Sequence, residues 1–504
     1  MSSVLRNLGP TEGAPAADPQ AGFQPVRWQL DPALAAPAWL QRAFDMLQRQ
    51  SAAGLASDSA QPAALLQLES STPEADPSAG GALRPTAFLL TDDQGRLLHP
   101  RWPLLHDITA GRGVGLVLWQ WLGERRWQRS HQTRLAAGHR WAESGTVLAR
   151  ALVLLLEQIR RQDLGAAAST TPVGSGSPDA RSVSAAQPLT APQVWACRWA
   201  GAWRAWRAVQ RSRLLREEWR IGVVDAPVHR LLQGDPMPPP RWLSTPPGLG
   251  YWADPMGLGL QHDHLVCEYY SELTGLGQIE SLALGPDGEV VQRQVLPMGA
   301  GKHASFPLLV QIDGRLLGIA ETAALRECVI HEVDAQGQWH PIAATLKGIA
   351  AADPVLFEWQ GLFWLAYTDI DVGEMDNLCL QSAPSLQGPW TPHPRNPVKI
   401  DIGGARMAGG MLLHQGALYR PGQNCLGAYG AAVQIYRIRK LTATEFEEEP
   451  VRSLVPDPDG PCPDGLHTLS AWGERTLIDG KRYVFSPSVV WWKVRRRLGR
   501  TAAP

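Results

Sequence analysis

The chain has 504 residues, with 47 Lys and Arg against 48 Asp and Glu and a formal net charge of −1. This length suits two or three domains, and the balanced charge gives no reason to expect nucleic acid as a partner. Hydrophobic residues make up 44% and charged residues 19%, as in globular proteins, and the 49 Gly and 42 Pro residues favour a turn-rich β protein.

The N-terminal half alternates low-complexity segments with predicted helices and strands. Residues 1–22 are predicted to be disordered, and residues 165–192 are predicted to be a disordered linker, because both are rich in Pro, Ala, Gly and Ser. Residues 23–164 are predicted to form a smaller α/β or mostly helical domain. Its predicted elements are a helix at Pro37–Gln50, strands at Ala63–Glu69 and Thr86–Thr91, and an amphipathic helix at Gly145–Gln162.

No segment has the pattern of a secretion signal or of a membrane-spanning helix. The N-terminal residues MSSVLRNLGPTEG contain no apolar run. The longest apolar stretches, near Gly113–Leu122 and Val147–Leu156, are far shorter than the roughly 20 residues that span a bilayer. We therefore expect a cytoplasmic protein without a membrane span.

The six cysteines are far apart in the sequence, and none of them forms a C-x-x-C pair. This pattern argues against a zinc or thioredoxin-like motif. Most of the cysteines lie in apolar, strand-like runs, so we expect buried free thiols. The sequence predicts neither a metal site nor a cofactor.

A tryptophan-rich helix is predicted at residues 193–216. Trp195, Trp199, Trp203 and Trp206 recur at spacings of four, four and three residues, which places them on one helix face. We expect this face to pack on the following domain rather than to bind a ligand.

After Glu217 the helical pattern gives way to short β-rich runs, and residues 217–492 are predicted to form a five-bladed β-propeller, followed by a basic tail at 493–504. Five similar units begin at Ala253, Ser305, Ala352, Ala408 and His467. Their spacing suits blades of four strands. Hairpin turns are predicted at Asp287-Gly288, Asp313-Gly314, Gln360-Gly361, Gln415-Gly416 and Asp479-Gly480. The run from Trp219 is expected to supply the strand that closes the ring.

Aligning the five units in this way places acidic side chains around one mouth of the central channel. Asp254 and Asp353 lie at equivalent positions in two A-D-P motifs, and Glu268 and Glu321 each follow an apolar run. Converging carboxylates, one of them with a shifted pKa, are the arrangement that glycosidic chemistry uses. Asp in A-D-P is also a good turn former, so a structural role stays open for both aspartates.

Basic side chains accompany these acids. His303 and His467 each precede the first strand of a unit, and Arg406 and Arg420 lie on opposite sides of one predicted hairpin. A lone histidine is more often a core residue than a ligand, so both interpretations stay open. The arginine fork suits a carboxylate or a phosphate, so each arginine either holds an anionic ligand or pairs with one of the acids.

The ordered motifs YWADPMG, KHASFP, AET, ADPVLF, WTPHPRNPV, ARMAGG, LYRPGQNC, YGAAV and GLHTL resemble the N-terminal propeller domain of glucosamine inositolphosphorylceramide transferases and related bacterial proteins. That domain is similar to the five-bladed fold of glycoside hydrolase family 43 and the invertases. The resemblance covers about residues 219–485. It implies a pocket lined by Asp254, Glu321, Asp353, Arg406, Arg420, Gln423 and Tyr429.

The chain departs from these families in several places. The order Asp254, Glu321, Asp353 differs from the usual Asp, Asp, Glu of the hydrolases, and Ala320 replaces the family's proline. The plant enzymes carry a glycosyltransferase domain after the propeller, and we expect none in this sequence, because too few residues follow the propeller before Pro504. The runs LHDITAGRGVG and RRWQRSHQTRL resemble a formyltransferase-like domain that lacks its catalytic motif and is degenerate.

Two functions are predicted, and whether the chain is an enzyme stays open. The first is glycosyl hydrolysis or transfer in glycan or glycolipid synthesis, with Asp254 and Asp353 as base or stabiliser and Glu321 as acid. The second is a non-catalytic glycan-binding or scaffolding propeller that works with a separate glycosyltransferase. A weaker alternative makes the N-terminal region an active transferase. In each case the substrate-binding residues are Glu268, His303, Arg406, Arg420, Gln423, Tyr429 and His467.

Overall fold

The computed structural model describes residues 4–8, 27–29, 65–69, 86–96, 98, 104–123, 126–138, 140, 147–155, 158, 189–257, 263–299 and 301–487. The chain divides into two compact units, residues 1–205 and residues 206–504. The helix predicted at 37–50, most of the linker at 165–192 and the basic tail at 493–504 lie outside the described residues. Within the described ranges, no helix is both long and apolar enough to cross a bilayer.

The N-terminal unit contains one six-stranded sheet. Its order is Arg27–Gln29, Leu65–Glu69, Val4–Leu8, Thr86–Thr91, Val114–Gly123 and Arg126–Leu135. The first two strands in this order are parallel, and the other neighbours are antiparallel. The strands predicted near residues 65 and 86 are present, and Val4–Leu8 lies within the segment whose composition predicted disorder. A short helix spans Leu105–Ala110, and residues 147–155 are helical, as the sequence predicted.

A 24-residue helix, Ala191–Leu214, carries the tryptophan stripe. Its buried residues are Val194 and Gly201. The four indoles are exposed: Trp195 by 65%, Trp199 by 60%, Trp203 by 54% and Trp206 by 49%. The expectation that this face packs on the propeller stays a prediction.

Five antiparallel sheets of the second unit form the predicted propeller. Blade 1 contains Gly250–Gly257, His264–Ser271, Leu276–Leu284 and Val290–Val295, and blade 2 contains Ser305–Ile312, Arg315–Glu321, Cys328–Val333 and Trp339–Thr345. Blade 3 contains Ala351–Trp359, Leu362–Asp369, Asn377–Ala383, Thr391–Pro392 and Lys399–Ile400, and blade 4 contains Leu412–His414, Ala417–Asn424, Ala432–Leu441 and Phe446–Leu454. The first strand of blade 2 contacts the first strands of blades 1 and 3, as neighbouring strands around a common axis do.

The fifth blade joins the two ends of the propeller. Leu469–Trp472 pairs with Arg475–Phe485, which pairs with Leu215–Val224 and then with Arg241–Trp242. The sequence prediction that the run around Trp219 closes the ring is therefore confirmed. Closure brings the first and last strands of the propeller into one sheet. A helix at Val228–Leu232 and a 3-10 helix at Ala323–Leu325 lie in connections of this unit.

The hairpin turns were predicted correctly with one exception. Asp313-Gly314, Gln360-Gly361 and Gln415-Gly416 have two consecutive positive φ angles, as type I′ turns require. The prediction of a turn at Asp479-Gly480 is wrong, because both residues lie within the strand Arg475–Phe485 and pair with Leu215–Val224. A Cβ at Gly480 would lie 2.3 Å from the Trp242 ring, so this glycine permits close packing rather than a turn.

Apolar side chains fill the space between the blades. The largest cluster includes Phe306 of blade 2, Leu356 and Trp364 of blade 3, and Met407 before blade 4. Burial of each such side chain contributes about 1.5–3 kcal/mol. All six cysteines are free, and five of them are buried, as the sequence predicted, whereas Cys197 is half-buried.

Candidate site at the propeller axis

Two aspartates and a phenylalanine share one backbone position in the first three blades. Asp254, Phe306 and Asp353 each precede a proline, and their φ angles are 52°, 46° and 46°. Each lies where the register of its strand pair shifts. A positive φ is unfavourable for a side-chain-bearing residue, and more so before proline. Because Phe306 has a similar φ, the positive φ is a feature of this position in the blade and does not depend on a carboxylate side chain.

Carboxylates near the axis accept backbone N–H groups across three junctions, between blades 5 and 1, blades 1 and 2, and blades 2 and 3. The N–H of Asp254 donates to Asp479 Oδ2 at 3.1 Å, and the N–H of Phe306 donates to Asp254 Oδ2 at 3.3 Å. The N–H of Asp353 donates to Glu321 Oε2 at 3.0 Å. Asp254, Glu321 and Asp479 therefore have a structural role as joints between blades, which was one of the alternatives for Asp254.

Asp353 forms the most constrained ion pair of the site. Arg406 donates from Nε to Asp353 Oδ2 at 2.5 Å and from Nη2 to Oδ1 at 3.1 Å, and Gln423 Nε2 donates to Oδ2 at 2.7 Å. All three side chains are buried. Arg406 also lies 3.8 Å from Glu321 Oε2. A bidentate guanidinium fixes the orientation of a carboxylate, so Asp353 presents one defined geometry.

Three other carboxyl groups of the site have raised pKa values. Burial raises the pKa of Glu321 to about 8, and the charge of Asp353 adds to this effect, while Arg406 opposes it. Burial raises the pKa of Asp254 to about 6, with His467 lowering it. The pKa of Glu268 is raised well above its usual value by burial and then by the charges of Asp254, Glu321 and Asp353. At neutral pH, protonated and ionised acids therefore lie close together.

His467 lies between two acids and two aromatic rings. Its Nδ1 is 2.6 Å from Asp479 Oδ2, and its Nε2 is 3.5 Å from Asp254 Oδ1. The ring stacks on Trp219 at 3.9 Å and meets Tyr429 edge-on at 5.3 Å. Burial lowers the pKa of His467, but the charges of Asp479 and Asp254 outweigh it and the pKa is raised.

The sequence analysis missed Asp479 and Trp219 as members of this site. The glycine after Asp479 predicts a turn there, and the β-rich run around Trp219 predicts only a closing strand. The signal for Asp479 is the segment TLIDGKRYVF, in which β-branched, aliphatic and aromatic residues on either side of D-G-K-R suit a continuous strand.

Asp254, His467 and Asp479 are also the residues whose arrangement could hold a metal ion, since their ligand atoms lie within 4.8 Å of one another. However, Asp479 already accepts hydrogen bonds from the N–H groups of Asp254, His467 and Thr468. Thr468 Oγ1 also donates to Asp254 Oδ1 at 2.9 Å. We interpret these residues as a hydrogen-bonded cluster, because both oxygens of Asp479 already accept hydrogen bonds.

The structure brings together most of the predicted site residues but gives two of them other contacts. Arg406 Cζ lies 5.3 Å above the Tyr429 ring, which places Tyr429 beside the Asp353 ion pair. Arg420 instead pairs with Glu448 in blade 4 and donates to the carbonyls of Gly404 and Ala405. His303 is half-buried and accepts a hydrogen bond from the N–H of Gly277 at its Nδ1, 2.7 Å away.

Residues 253–460 match the family described as glucosamine inositolphosphorylceramide transferase 1, N-terminal. This match confirms the resemblance that the sequence motifs indicated. Glucosamine inositolphosphorylceramide transferase 1 of Oryza sativa subsp. indica is 31% identical over 158 residues, which are 30% of this chain and 21% of that protein. The Arabidopsis thaliana protein of the same name is 27% identical over 207 residues, 39% of this chain and 27% of that protein. The alignments thus span about a fifth to a quarter of these relatives.

Similar solved structures include an exo-β-1,3-galactanase from Clostridium thermocellum, with 13% identity, a TM-score of 0.33, and coverage of 42% of this chain and 53% of that chain. A GH43 β-1,3-galactosidase with galactodeoxynojirimycin has 12% identity, a TM-score of 0.33, and coverage of 41% and 81%. The propeller assignment rests on the sheet order described above and not on these alignments.

Proposed function

We propose that the propeller is a carbohydrate-active module that binds a sugar or glycoconjugate at its axial site and cleaves or transfers a glycosyl group there. The observation that carries this proposal is the contact between two acids of opposite character. Glu321, with a pKa of about 8, accepts a hydrogen bond from the N–H of Asp353, whose own carboxylate is held in an ion pair by Arg406. A protonated acid beside an ion-paired carboxylate is the arrangement that general acid catalysis of glycoside cleavage needs.

The roles follow from the protonation states. Glu321 is the acid, because it keeps its proton at neutral pH and can donate it to a leaving oxygen. Asp254 is the base, because with a pKa of about 6 it is mostly ionised at neutral pH. Asp353, fixed by Arg406 and Gln423, is the stabiliser that orients the sugar or its developing positive charge.

The second candidate is a non-catalytic glycan-binding propeller that works with a separate glycosyltransferase. It is favoured because the acids already accept hydrogen bonds within the protein. Asp353 accepts them from Arg406 and Gln423. Asp254 accepts them from Phe306 and Thr468. The match to the N-terminal part of a transferase family is compatible with this partnership. A cytoplasmic location also stays a prediction.

The test compares Glu321→Gln with the unmodified chain on aryl glycosides, nucleotide sugars and a glycan array. Gln keeps an oxygen to accept the N–H of Asp353 but cannot donate an acid proton. We expect turnover to fall by about 10²–10⁴ while glycan binding persists. Glu332→Gln, at an exposed ion pair with Arg315 in the same blade, is the matched control. Unchanged turnover in Glu321→Gln would contradict the enzymatic role, and glycan binding without turnover in both chains would establish the second candidate.

A further inference from the structure

Glu268 is a buried acid of the axial site without a catalytic role in the proposed reaction. Only 7% of its surface is exposed. Among the described residues, its carboxyl group has no hydrogen-bond or ion-pair partner. The neighbouring acids differ, since Asp254 accepts the N–H of Phe306 and Glu321 accepts the N–H of Asp353. A buried polar group without a partner costs free energy, and a ligand that supplied the partner would recover it.

The backbone of blade 1 makes room for this carboxyl group. A Cβ at Gly277 would clash with Glu268 Oε1, so a glycine is needed there. The N–H of Gly277 donates to His303 Nδ1 at 2.7 Å, which brings the imidazole to the same backbone position as the acid. Burial lowers the pKa of His303, so the ring is neutral, and with Nδ1 as acceptor its proton is on Nε2. The imidazole therefore adds a second donor near Glu268.

The groups around Glu268 keep its carboxyl group protonated. The titratable groups that interact with it are Asp254, Glu321, Asp353, Asp479, Tyr251 and Cys267. None of these six is a cation that could pair with ionised Glu268. Burial, and then the charges of the acids, raise the pKa of Glu268 well above its usual value. Burial and the charge of Glu268 also raise the pKa of Tyr251, so its hydroxyl group stays protonated.

The charges of the axial site favour an uncharged ligand. The acids that ionise already have cationic partners, because Arg406 pairs with Asp353, and His467 lies between Asp254 and Asp479. An anionic ligand would be repelled by these carboxylates, and a cationic ligand would compete with Arg406 and His467 for them. An uncharged ligand avoids both costs.

We propose that Glu268, in its protonated form, determines specificity by donating a hydrogen bond to a hydroxyl group of an uncharged sugar and accepting one in return. This inference rests on the proposed function and adds the class of sugar to it. A carboxylic acid has one O–H donor and free acceptor lone pairs, as a sugar hydroxyl has, so the two groups match. His303 and Tyr251 place an N–H and an O–H near the same acid. A few such polar groups are enough to fix the orientation of a ligand in a pocket.

The test measures, by titration calorimetry at neutral pH, the binding of four p-nitrophenyl glycosides to the full chain. They are the β-glucoside, the β-galactoside and the corresponding β-glucuronide and β-galacturonide, which carry a carboxylate in place of the hydroxymethyl group. We expect the uncharged glycosides to bind at least about tenfold more tightly. Glu268→Ala should bind them about tenfold more weakly than the unmodified chain does. Glu268→Gln has an N–H donor and a C=O acceptor, so it should retain more of the affinity than Glu268→Ala.

The pH dependence of binding tests the protonated form. Ionisation of Glu268 removes its O–H donor and adds an unpaired charge, so the affinity for the uncharged glycosides should fall as the pH rises from neutral to about 9. Glu321 loses its proton in the same range, so the two chains are compared, and the fall should be smaller in Glu268→Gln. Tighter binding at higher pH would overturn the inference, because Glu268 would then act as an anion towards the ligand.

Glu289→Ala and Glu289→Gln, at an exposed position in a hairpin of blade 1, are the matched controls and should bind as the unmodified chain does. Three results would overturn the inference alone: equal binding of uncharged and uronic glycosides, full affinity in Glu268→Ala, or the same pH dependence in Glu268→Gln. In each of them the chain still binds sugar, so the proposed function stands. Binding of none of the four glycosides also overturns the inference, and the glycan array then decides separately on the proposed function. If Glu268→Ala does not fold, the pH comparison with Glu268→Gln decides.

Discussion

Two buried clusters of the propeller each pair an arginine with a carboxylate, and they differ in their balance of charge. In blade 4, Glu448 accepts hydrogen bonds from Arg420 at 2.7 Å and from Lys399 at 2.6 Å, so two cations surround one anion. Burial raises the pKa of Glu448, but these two cations outweigh it and the pKa is lowered. At the axis the acids outnumber the bases, since Asp254, Glu268, Glu321, Asp353 and Asp479 share Arg406 and His467.

This difference in charge balance means that the blade 4 cluster stabilises the fold, whereas the axial cluster lowers its stability. A buried carboxylate surrounded by cations has its charge compensated, and Tyr436 covers both Lys399 and Arg420. The axial acids are under-compensated, and burial raises the pKa values of Asp254, Glu268 and Glu321. Two of the axial acids also have a positive φ. Uncompensated acids and backbone strain in one place are typical of functional sites.

The largest effect is expected from Asp254→Asn combined with Asp353→Asn. Each Asn keeps one oxygen as an acceptor, so the N–H of Phe306 and the guanidinium of Arg406 still have partners. We expect the chain to stay folded and to lose turnover, or sugar binding, by at least about 10⁴. Asp287→Asn with Asp313→Asn, in hairpin turns, is the control. Circular dichroism checks folding, and an unfolded double variant would mean that the two aspartates only join blades.

Arg420→Met breaks the balanced cluster of blade 4. It leaves the carbonyls of Gly404 and Ala405 without their donor and Glu448 with Lys399 alone. We expect a loss of about 3–5 kcal/mol in the free energy of unfolding, measured by urea denaturation followed in the near-ultraviolet, with no specific effect on the sugar site. Arg439→Met, in the exposed pair with Glu449 of the same blade, should cost less than about 1 kcal/mol. Similar losses in the two variants would show that the cluster is not structural.

The pH dependence of stability should have opposite signs in the two clusters. The pKa of Glu321 is raised from 4.5 to about 8, so the folded chain keeps a proton that the unfolded chain releases, and stability falls as the pH rises between these values. Gln does not ionise, so the stability of Glu321→Gln relative to the unmodified chain should rise by about 3–4 kcal/mol from pH 5 to pH 8.

Glu448→Gln gives the reverse dependence. The pKa of Glu448 is lowered from its usual value of 4.5. Glu448 therefore stabilises the folded chain above pH 4.5, and this stabilisation is lost as the pH falls. The loss of stability caused by Glu448→Gln should therefore be largest at neutral pH and become smaller as the pH falls. Urea denaturation at several pH values gives the free energy of unfolding of each variant relative to the unmodified chain. If this difference changed with pH in the same direction for both variants, the two clusters would not differ in their balance of charge.

Much of the fold could be predicted because it depends on local signals. The turn pairs Asp313-Gly314 and Gln360-Gly361 fix hairpins through a few residues, and the A-D-P motifs mark equivalent blade positions. The partners of buried charges depend instead on distant contacts. Arg406 meets Asp353 across 53 residues, and Asp254 meets Thr468 across 214. Sequence alone could not tell that Arg406 joins the site while Arg420, with the same chemistry, pairs with Glu448.

The misread Asp479-Gly480 pair leads to the smallest expected effect. Asp479 accepts hydrogen bonds from His467, and its charge is the main cause that raises the pKa of His467 against burial. Asp479→Asn removes that charge while an oxygen remains to accept the N–H groups, so the pKa of His467 should fall. Nitrogen chemical shifts of labelled histidine rings, followed against pH, measure this change. Asp464→Asn, whose carboxylate accepts the N–H of Tyr483 in the same blade, should leave the His467 titration unchanged. If Asp479→Asn also leaves the pKa of His467 unchanged, Asp254 rather than Asp479 raises that pKa. The positive and negative charges of the axial cluster would then be closer to balance than its excess of acids indicates.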